Sequence, residues 1–243
     1  MDVLPVMRLH YYDRVSSTMD VIHQLAADGA VPGTAVMAGE QLEGRGSRGR
    51  TWHSPVGGLW LSVLFQPPVV EGIEVISLRV GLAVAEAIQA RVPKPVQLKW
   101  PNDLILEGRK LGGVLCEARW QGDALGWVAV GVGMNVRNST PAELGSVAVS
   151  LSELNPGISL EEVANPILAA LRALDLGTGR LSPAELDRFA RRDWLRGRTI
   201  REPAEGRVTG VGEDGALLVR TASGSDVSLR SGTVELAAAS HSR

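Results

Sequence analysis

Cysteine is almost absent from this chain: its one thiol, Cys116, excludes an internal disulfide and any zinc site built from several cysteines. A charge surplus is missing too, since 25 Lys and Arg stand against 27 Asp and Glu for a formal net charge of -2. That balance removes the global field expected of a protein whose main task is coating nucleic acid. No basic segment followed by an apolar core opens the sequence. The longest nearly apolar stretch, Leu125 to Val136, falls short of the roughly 18 to 20 residues that a membrane span requires. A cytoplasmic protein with no membrane partner is therefore expected. Lysine is scarce as well, confined to Lys94, Lys99 and Lys110. A lysine inside a motif carries corresponding weight.

What is present is an ordinary globular composition, 44% hydrophobic over 243 residues, enough for one large domain or one of about 190 residues with a small appendage. Leu9 to Val15 predicts a strand, and Ser17-Thr18-Met19-Asp20 reads as a capping box opening a helix that Gly29 stops. Thr34 to Gln41 and Leu59 to Gln66 predict strands, separated by a long loop from Leu42 to Gly58 with five Gly, three Arg and a Pro. A helix is expected over Val75 to Val92. Val96 to Trp100, Leu104 to Leu106, Lys110 to Trp120 and Leu125 to Val136 then predict an antiparallel meander. Helices follow over Leu160 to Leu176, bent or restarted near Pro166, and over Ala184 to Trp194. From Gly197 to Leu236, short alternating runs punctuated by Gly predict a small β-barrel, and the tail beyond is expected to fray. The division is thus a domain of residues 1–196 and a second of residues 197–243.

The loop string Gly44-Arg45-Gly46-Ser47-Arg48-Gly49-Arg50 formally matches G-x-G-x-x-G. A dinucleotide site needs a helix directly after the glycines, whereas Trp52-His53-Ser54-Pro55 leads into a strand. A kinase would need His-Arg-Asp and Asp-Phe-Gly segments, and neither occurs. No acidic residue lies between Gly44 and Val70, so the loop is either an anion binder with Arg forks and approachable backbone N–H groups or a solvated basic loop. A second constellation comprises Lys99-Trp100-Pro101-Asn102-Asp103, Lys110-Leu111-Gly112-Gly113, Glu117 and Gly131-Val132-Gly133-Met134-Asn135. Lys, Asn and Asp at strand ends beside paired Gly suit ATP phosphates, Mg²⁺ and a second anion. Asn102-Asp103 is equally a Pro-initiated turn.

The ordered set of Ser17-Thr18, Gln41, the Gly44 to Arg50 loop with Trp52 and Ser54-Pro55, and these three later strings resembles biotin protein ligase. The resemblance spans about Val15 to Leu236. It implies an α+β fold of the class II aminoacyl-tRNA synthetase type, a mixed and largely antiparallel sheet with flanking helices, followed by a C-terminal SH3-like β-barrel. Some members carry an N-terminal winged-helix repressor domain, and a short form without it is expected here. The implied activity is ATP-dependent conversion of biotin to biotinyl-5'-AMP, then transfer to a lysine of a biotin carboxyl-carrier protein such as that of acetyl-CoA carboxylase.

By that resemblance Lys110 and Arg45 are the catalytic cations. Ser17, Thr18, Gln41, Arg45, Gly46, Ser47, Lys110 and Gly113 would bind biotin. Arg48, Arg50, Trp52, Asn102 and Asn135 would face ATP, and Asp103 would hold Mg²⁺. Two positions depart from the family pattern: Ser47 stands where Arg is usual, and Met19 where Asn is usual. A leakier adenylate is expected from the first. No DNA binding is expected, and a homodimer is compatible with the sequence. The alternatives are a lipoate or octanoate-protein ligase of the same fold, and a non-catalytic regulator binding nucleotide or nucleic acid.

Overall fold

Seven strands form one sheet in the computed structural model, which describes residues 8–67, 72 and 74–237. They are β1 (Leu9–Val15), β2 (Ala35–Gln41), β3 (Leu59–Phe65), β4 (Val96–Lys99), β5 (Asp103–Leu106), β6 (Arg109–Gln121) and β7 (Ala124–Met134). Their spatial order is β1-β2-β3-β7-β6-β5-β4. Only β1 and β2 pair in parallel; the other neighbours are antiparallel, with β4 to β7 forming the expected meander. The parallel pair needs a crossover, and helix α1 (Thr18–Ala27) supplies it.

Strand alternation sorts the side chains into two layers. Val114, Cys116, Val128, Val130, Val132 and Met134 point into the main core, against helices α2 (Val75–Ile88) and α3 (Leu160–Arg172). Leu115, Trp127 and Ala129 point to the opposite face, under Met19 and Ile22 of α1.

The helix ends differ from the sequence expectation in instructive ways. Ser17 caps α1 by accepting from the Met19 N–H, but Asp20 closes no capping box; its carboxylate instead receives the Ser16 hydroxyl and the Arg45 guanidinium. The α2 segment tightens to a 3-10 turn over Gln89–Arg91. Pro166 neither breaks nor restarts α3. A proline at that position leaves the Glu162 carbonyl without its helical donor, and Arg91 Nε supplies one at 3.2 Å. Ser182 and Glu185 do close a capping box at the start of α4 (Pro183–Arg192).

A second, antiparallel sheet holds β8 (Thr199–Glu202), β9 (Gly206–Val211), β10 (Leu217–Arg220), β11 (Asp226–Leu229) and β12 (Glu235–Leu236), in the order β11-β10-β9-β8-β12. Its outer strands share no pairing. Two contacts pin it to the first sheet's loops: the buried Trp100 indole N–H donates to the Gly215 carbonyl at 2.8 Å, and Arg48 donates to the Thr233 hydroxyl at 2.8 Å. The tail expected to fray, residues 238–243, lies outside the described residues. No described helix is long and apolar enough to cross a membrane.

Candidate active site

A cavity of about 540 Å³ opens on the α1 face of the large sheet, within the range typical of small-ligand sites. Its floor is made where side chains are missing. Gly113 of β6 and Gly131 and Gly133 of β7 stand at alternate positions on that face. A β-carbon on Gly131 would lie 2.9 Å from Met19 Sδ, and one on Gly133 would lie 2.8 Å from Trp52 Nε1. Glycine there lets the thioether and the indole settle directly on the sheet. At Gly113 the nearest neighbour would be 3.6 Å away, so that glycine keeps the floor open rather than averting a clash.

One end of the cavity is a polar knot centred on Gln41. Its Oε1 accepts from Thr18 N at 2.8 Å and from Thr18 Oγ1 at 3.0 Å, and its Nε2 donates to Ser54 Oγ at 2.9 Å. Ser62 Oγ donates to Thr18 Oγ1 at 2.8 Å from beneath. The amide of Gln41 is thereby locked in one orientation, and Ser17, Thr18 and Gln41 present a fixed hydroxyl and amide surface.

The rest of the lining combines apolar walls with a cluster of cations. Its cationic residues are Arg45, Arg50, Lys99 and Lys110, and Asp103 contributes the one carboxylate among the described lining residues. Lys110 Nζ lies 2.6 Å from Asp103 Oδ1 and 5.0 Å from the centre of the Trp52 ring. Lys99 Nζ sits 5.7 Å over the Trp194 ring. Burial pulls the Lys99 pKa below the ordinary lysine value, with Lys110 and Arg50 adding to the effect and Asp103 opposing it. Such a cluster stores repulsion that an incoming polyanion relieves.

All the site residues expected from sequence line this cavity except Arg48. Arg48 sits at a left-handed backbone position, φ 62°, and its side chain reaches out to Thr233 of the second sheet. Ser47 Oγ accepts from Arg50 Nη2 at 2.9 Å, so it steadies a neighbouring cation. Two asparagines are tied to their surroundings: Asn102 Nδ2 donates to the Val114 carbonyl at 2.8 Å, and Asn135 bridges the Val149 carbonyl and Asn138.

The sequence placed Lys99 in the second constellation but assigned it no individual role, and the structure sets it in the cavity lining. Sequence reasoning missed the wall formed by Asn138, Ser139, Thr140, Leu144 and Val147. That wall is tied to the site through backbone bonds, Lys110 N to Val147 O at 2.7 Å and Val149 N to Lys110 O at 3.0 Å. Nothing in its local pattern marks it.

For a metal, the described lining offers one carboxylate, Asp103. No group of three or more His, Cys, Asp or Glu among the described residues could hold an ion. Asp103 Oδ1, however, is buried without a hydrogen bond, its one partner being the Lys110 ammonium. A single carboxylate of this kind fits Mg²⁺ that keeps water and phosphate oxygens as its other ligands.

Comparison with known proteins agrees with this geometry. Residues 11–135 match the biotin/lipoate A/B protein ligase family, and residues 196–237 match the biotin protein ligase C terminal domain. The chain is 33% identical over 228 residues to a bifunctional ligase/repressor BirA of Bacillus spizizenii, covering 89% of this chain and 70% of that protein. It is 30% identical over 215 residues to a biotin-[acetyl-CoA-carboxylase] ligase of Paracoccus denitrificans, covering 79% of this chain and 86% of the other. Among solved structures, the biotin protein ligase of Aquifex aeolicus in complex with biotin and ATP superposes with a TM-score of 0.81 at 27% identity, covering 96% of this chain and 100% of that one.

Proposed function

The chain belongs to the biotin/lipoate A/B protein ligase family, and from that premise we propose that it is a biotin-[acetyl-CoA-carboxylase] ligase, activating biotin with ATP and transferring it to a carrier lysine. The observation that carries the reading is the union, in one cavity, of a locked hydroxyl and amide knot with four cationic side chains and one carboxylate. The knot suits the neutral, hydrogen-bonding ureido ring of biotin. The cations suit the carboxylate and the phosphates that must meet it.

In the first step a biotin carboxylate oxygen bonds to the α-phosphorus of ATP, the bond to the bridging oxygen breaks, and pyrophosphate leaves. Two anions must approach, so the protein's part is to neutralise and orient them. Ser17, Thr18, Gln41 and the backbone at Gly46 and Gly113 hold biotin, with Ser47 beside them. Arg45 and Lys110 grip its carboxylate and then the acyl-phosphate oxygens. Arg50 and Lys99 neutralise phosphate, while Trp52, Asn102 and Asn135 shape the nucleotide side. Arg48 acts indirectly, by tethering the loop. Mg²⁺, held on the protein side by Asp103, supplies Lewis-acid charge neutralisation when bound.

In the second step the carrier lysine's amine attacks the carboxyl carbon. An amide forms, the carbon–oxygen bond to phosphate breaks, AMP leaves and the amine gives up a proton. We assign both half-reactions to residues 1–196 and treat residues 197–243 as an appended SH3-like unit. Incubation with ATP, Mg²⁺, biotin and a biotin carboxyl-carrier domain should yield a carrier that streptavidin retains. Lipoate or octanoate should give no acylated carrier, because a site built to hydrogen-bond a ureido ring leaves its polar groups unpaired against a plain chain. Acylation by lipoate and none by biotin would contradict the proposal.

A further inference from the structure

We infer that Trp127, His23 and Glu117 form a positioning chain that sets the guanidinium of Arg45 at the anion end of the cavity. The inference rests on the ligase reading for the role of Arg45, but the chain itself is a feature of the structure. None of the three residues lies in the cavity lining.

The need for such a chain follows from where Arg45 sits. It lies on the loop after β2, where a bridge to Thr51 fixes its backbone but leaves the end of a long, half-exposed side chain to be placed by other residues. A side chain placed on a loop is held only as well as the residues that support it. The supporting residues come from three regular elements: His23 from α1, Glu117 from β6 and Trp127 from β7.

Their hydrogen bonds have one direction. The Trp127 indole N–H, which can only donate, lies 3.0 Å from His23 Nδ1, so Nδ1 accepts. The ring's proton is then on Nε2, which donates to Glu117 Oε2 at 2.9 Å. Glu117 Oε1 in turn faces Arg45 Nε at 3.7 Å, and Asp20 takes Arg45 Nη1 from the other side. Arg119 Nη2 approaches Glu117 Oε2 at 3.6 Å from the exposed edge. The Glu117 carboxyl is held below its ordinary pKa, first by the His23 hydrogen bond and then by Arg45, against the opposing effect of burial. It therefore stays an anion at neutral pH.

The consequence is directional. With Nε turned to Glu117 and Nη1 to Asp20, the Nη2 hydrogens of Arg45 have no acceptor among the described residues. That edge of the fork is left for an oxygen of the substrate. Side-chain exposure rises along the chain, 11% at His23, 23% at Glu117 and 37% at Arg45, so order is passed from the interior outward to the loop.

The test is biotin-dependent exchange of labelled pyrophosphate into ATP by the full chain. It compares the wild type, His23→Ala and His23→Gln, alone and combined with Arg45→Lys, which keeps the charge but loses the fork. His23→Ala should lower kcat/KM for biotin by about 10-fold, short of the roughly hundred-fold that an ångström of misplacement can cost. His23→Gln, whose side-chain nitrogen can still donate to Glu117, should recover most of it. In the Arg45→Lys background His23→Ala should cost less than about two-fold, because the two residues act as a unit. Equal losses in both backgrounds, or no recovery with Gln, would overturn the chain. Absence of exchange in the wild type would instead refute the ligase reading. The chain is then decided by nuclear magnetic resonance, in which the Arg45 side-chain Nε signal should shift in His23→Ala and return in His23→Gln; an unshifted signal in His23→Ala overturns it.

Discussion

Single residues decide how charge is managed in this cavity, and Lys110 is the most exposed to test. Its ammonium lies against Asp103 and over Trp52, where it can turn to the substrate oxygens as they arrive. Lys110→Ala should raise the adenylation barrier by roughly 2–4 kcal/mol with an unchanged circular dichroism spectrum. A wild-type rate in that variant would contradict the assignment. Lys99 predicts a pH effect. Because its folded-state pKa is lowered, it loses its proton earlier than an ordinary lysine as pH rises. Nucleotide affinity should therefore begin to fall on the alkaline side below the usual lysine range, and Lys99→Arg should shift that fall upward. Identical profiles in titration calorimetry would exclude Lys99 as the titrating group. Residues such as Arg45, Lys110 and Asp103 were legible because charge and glycine cluster along the chain there. His23 and Trp127 were not, since helix and strand patterns mark such residues only as packing, and their pairing spans 104 positions.

At the scale of elements, strand alternation made the meander readable from local sequence. The failures are tertiary. Asp20 has the right spacing to close a capping box but is claimed by Arg45, and Pro166 is tolerated because Arg91 arrives from elsewhere in the chain. The loop from Leu42 to Gly58 is more ordered than its glycines suggest. It folds back through bridges between Gln41 and Ser54 and between Arg45 and Thr51. Its basic turn nevertheless stays exposed around Arg48 and Arg50. Trypsin should cut there in the free protein, and biotin with ATP and Mg²⁺ should suppress cleavage as the cations close on the ligand. Equal cutting with and without ligands would mean that the loop does not respond to them.

Across the whole molecule, the two sheets meet at the segment that carries Lys99, Asn102 and Asp103. The Trp100 indole anchors that segment to Gly215. Trp100→Phe keeps most of the ring but leaves a buried carbonyl unpaired, which should cost about 1–3 kcal/mol in denaturant unfolding. A loss confined to the second sheet's signals, with the first unaffected, would contradict a shared anchor. The architecture was legible as a large mixed sheet followed by short strands. The way Arg48 and Trp100 join the two was not, because neither contact has a local sequence pattern. This joined molecule is expected to make an acyl-adenylate of biotin. The most direct measurement is exchange of labelled pyrophosphate into ATP with Mg²⁺, with and without biotin, since it requires no carrier. Exchange that depends on biotin is the predicted result; folded protein that exchanges equally without biotin, or not at all, would contradict the account.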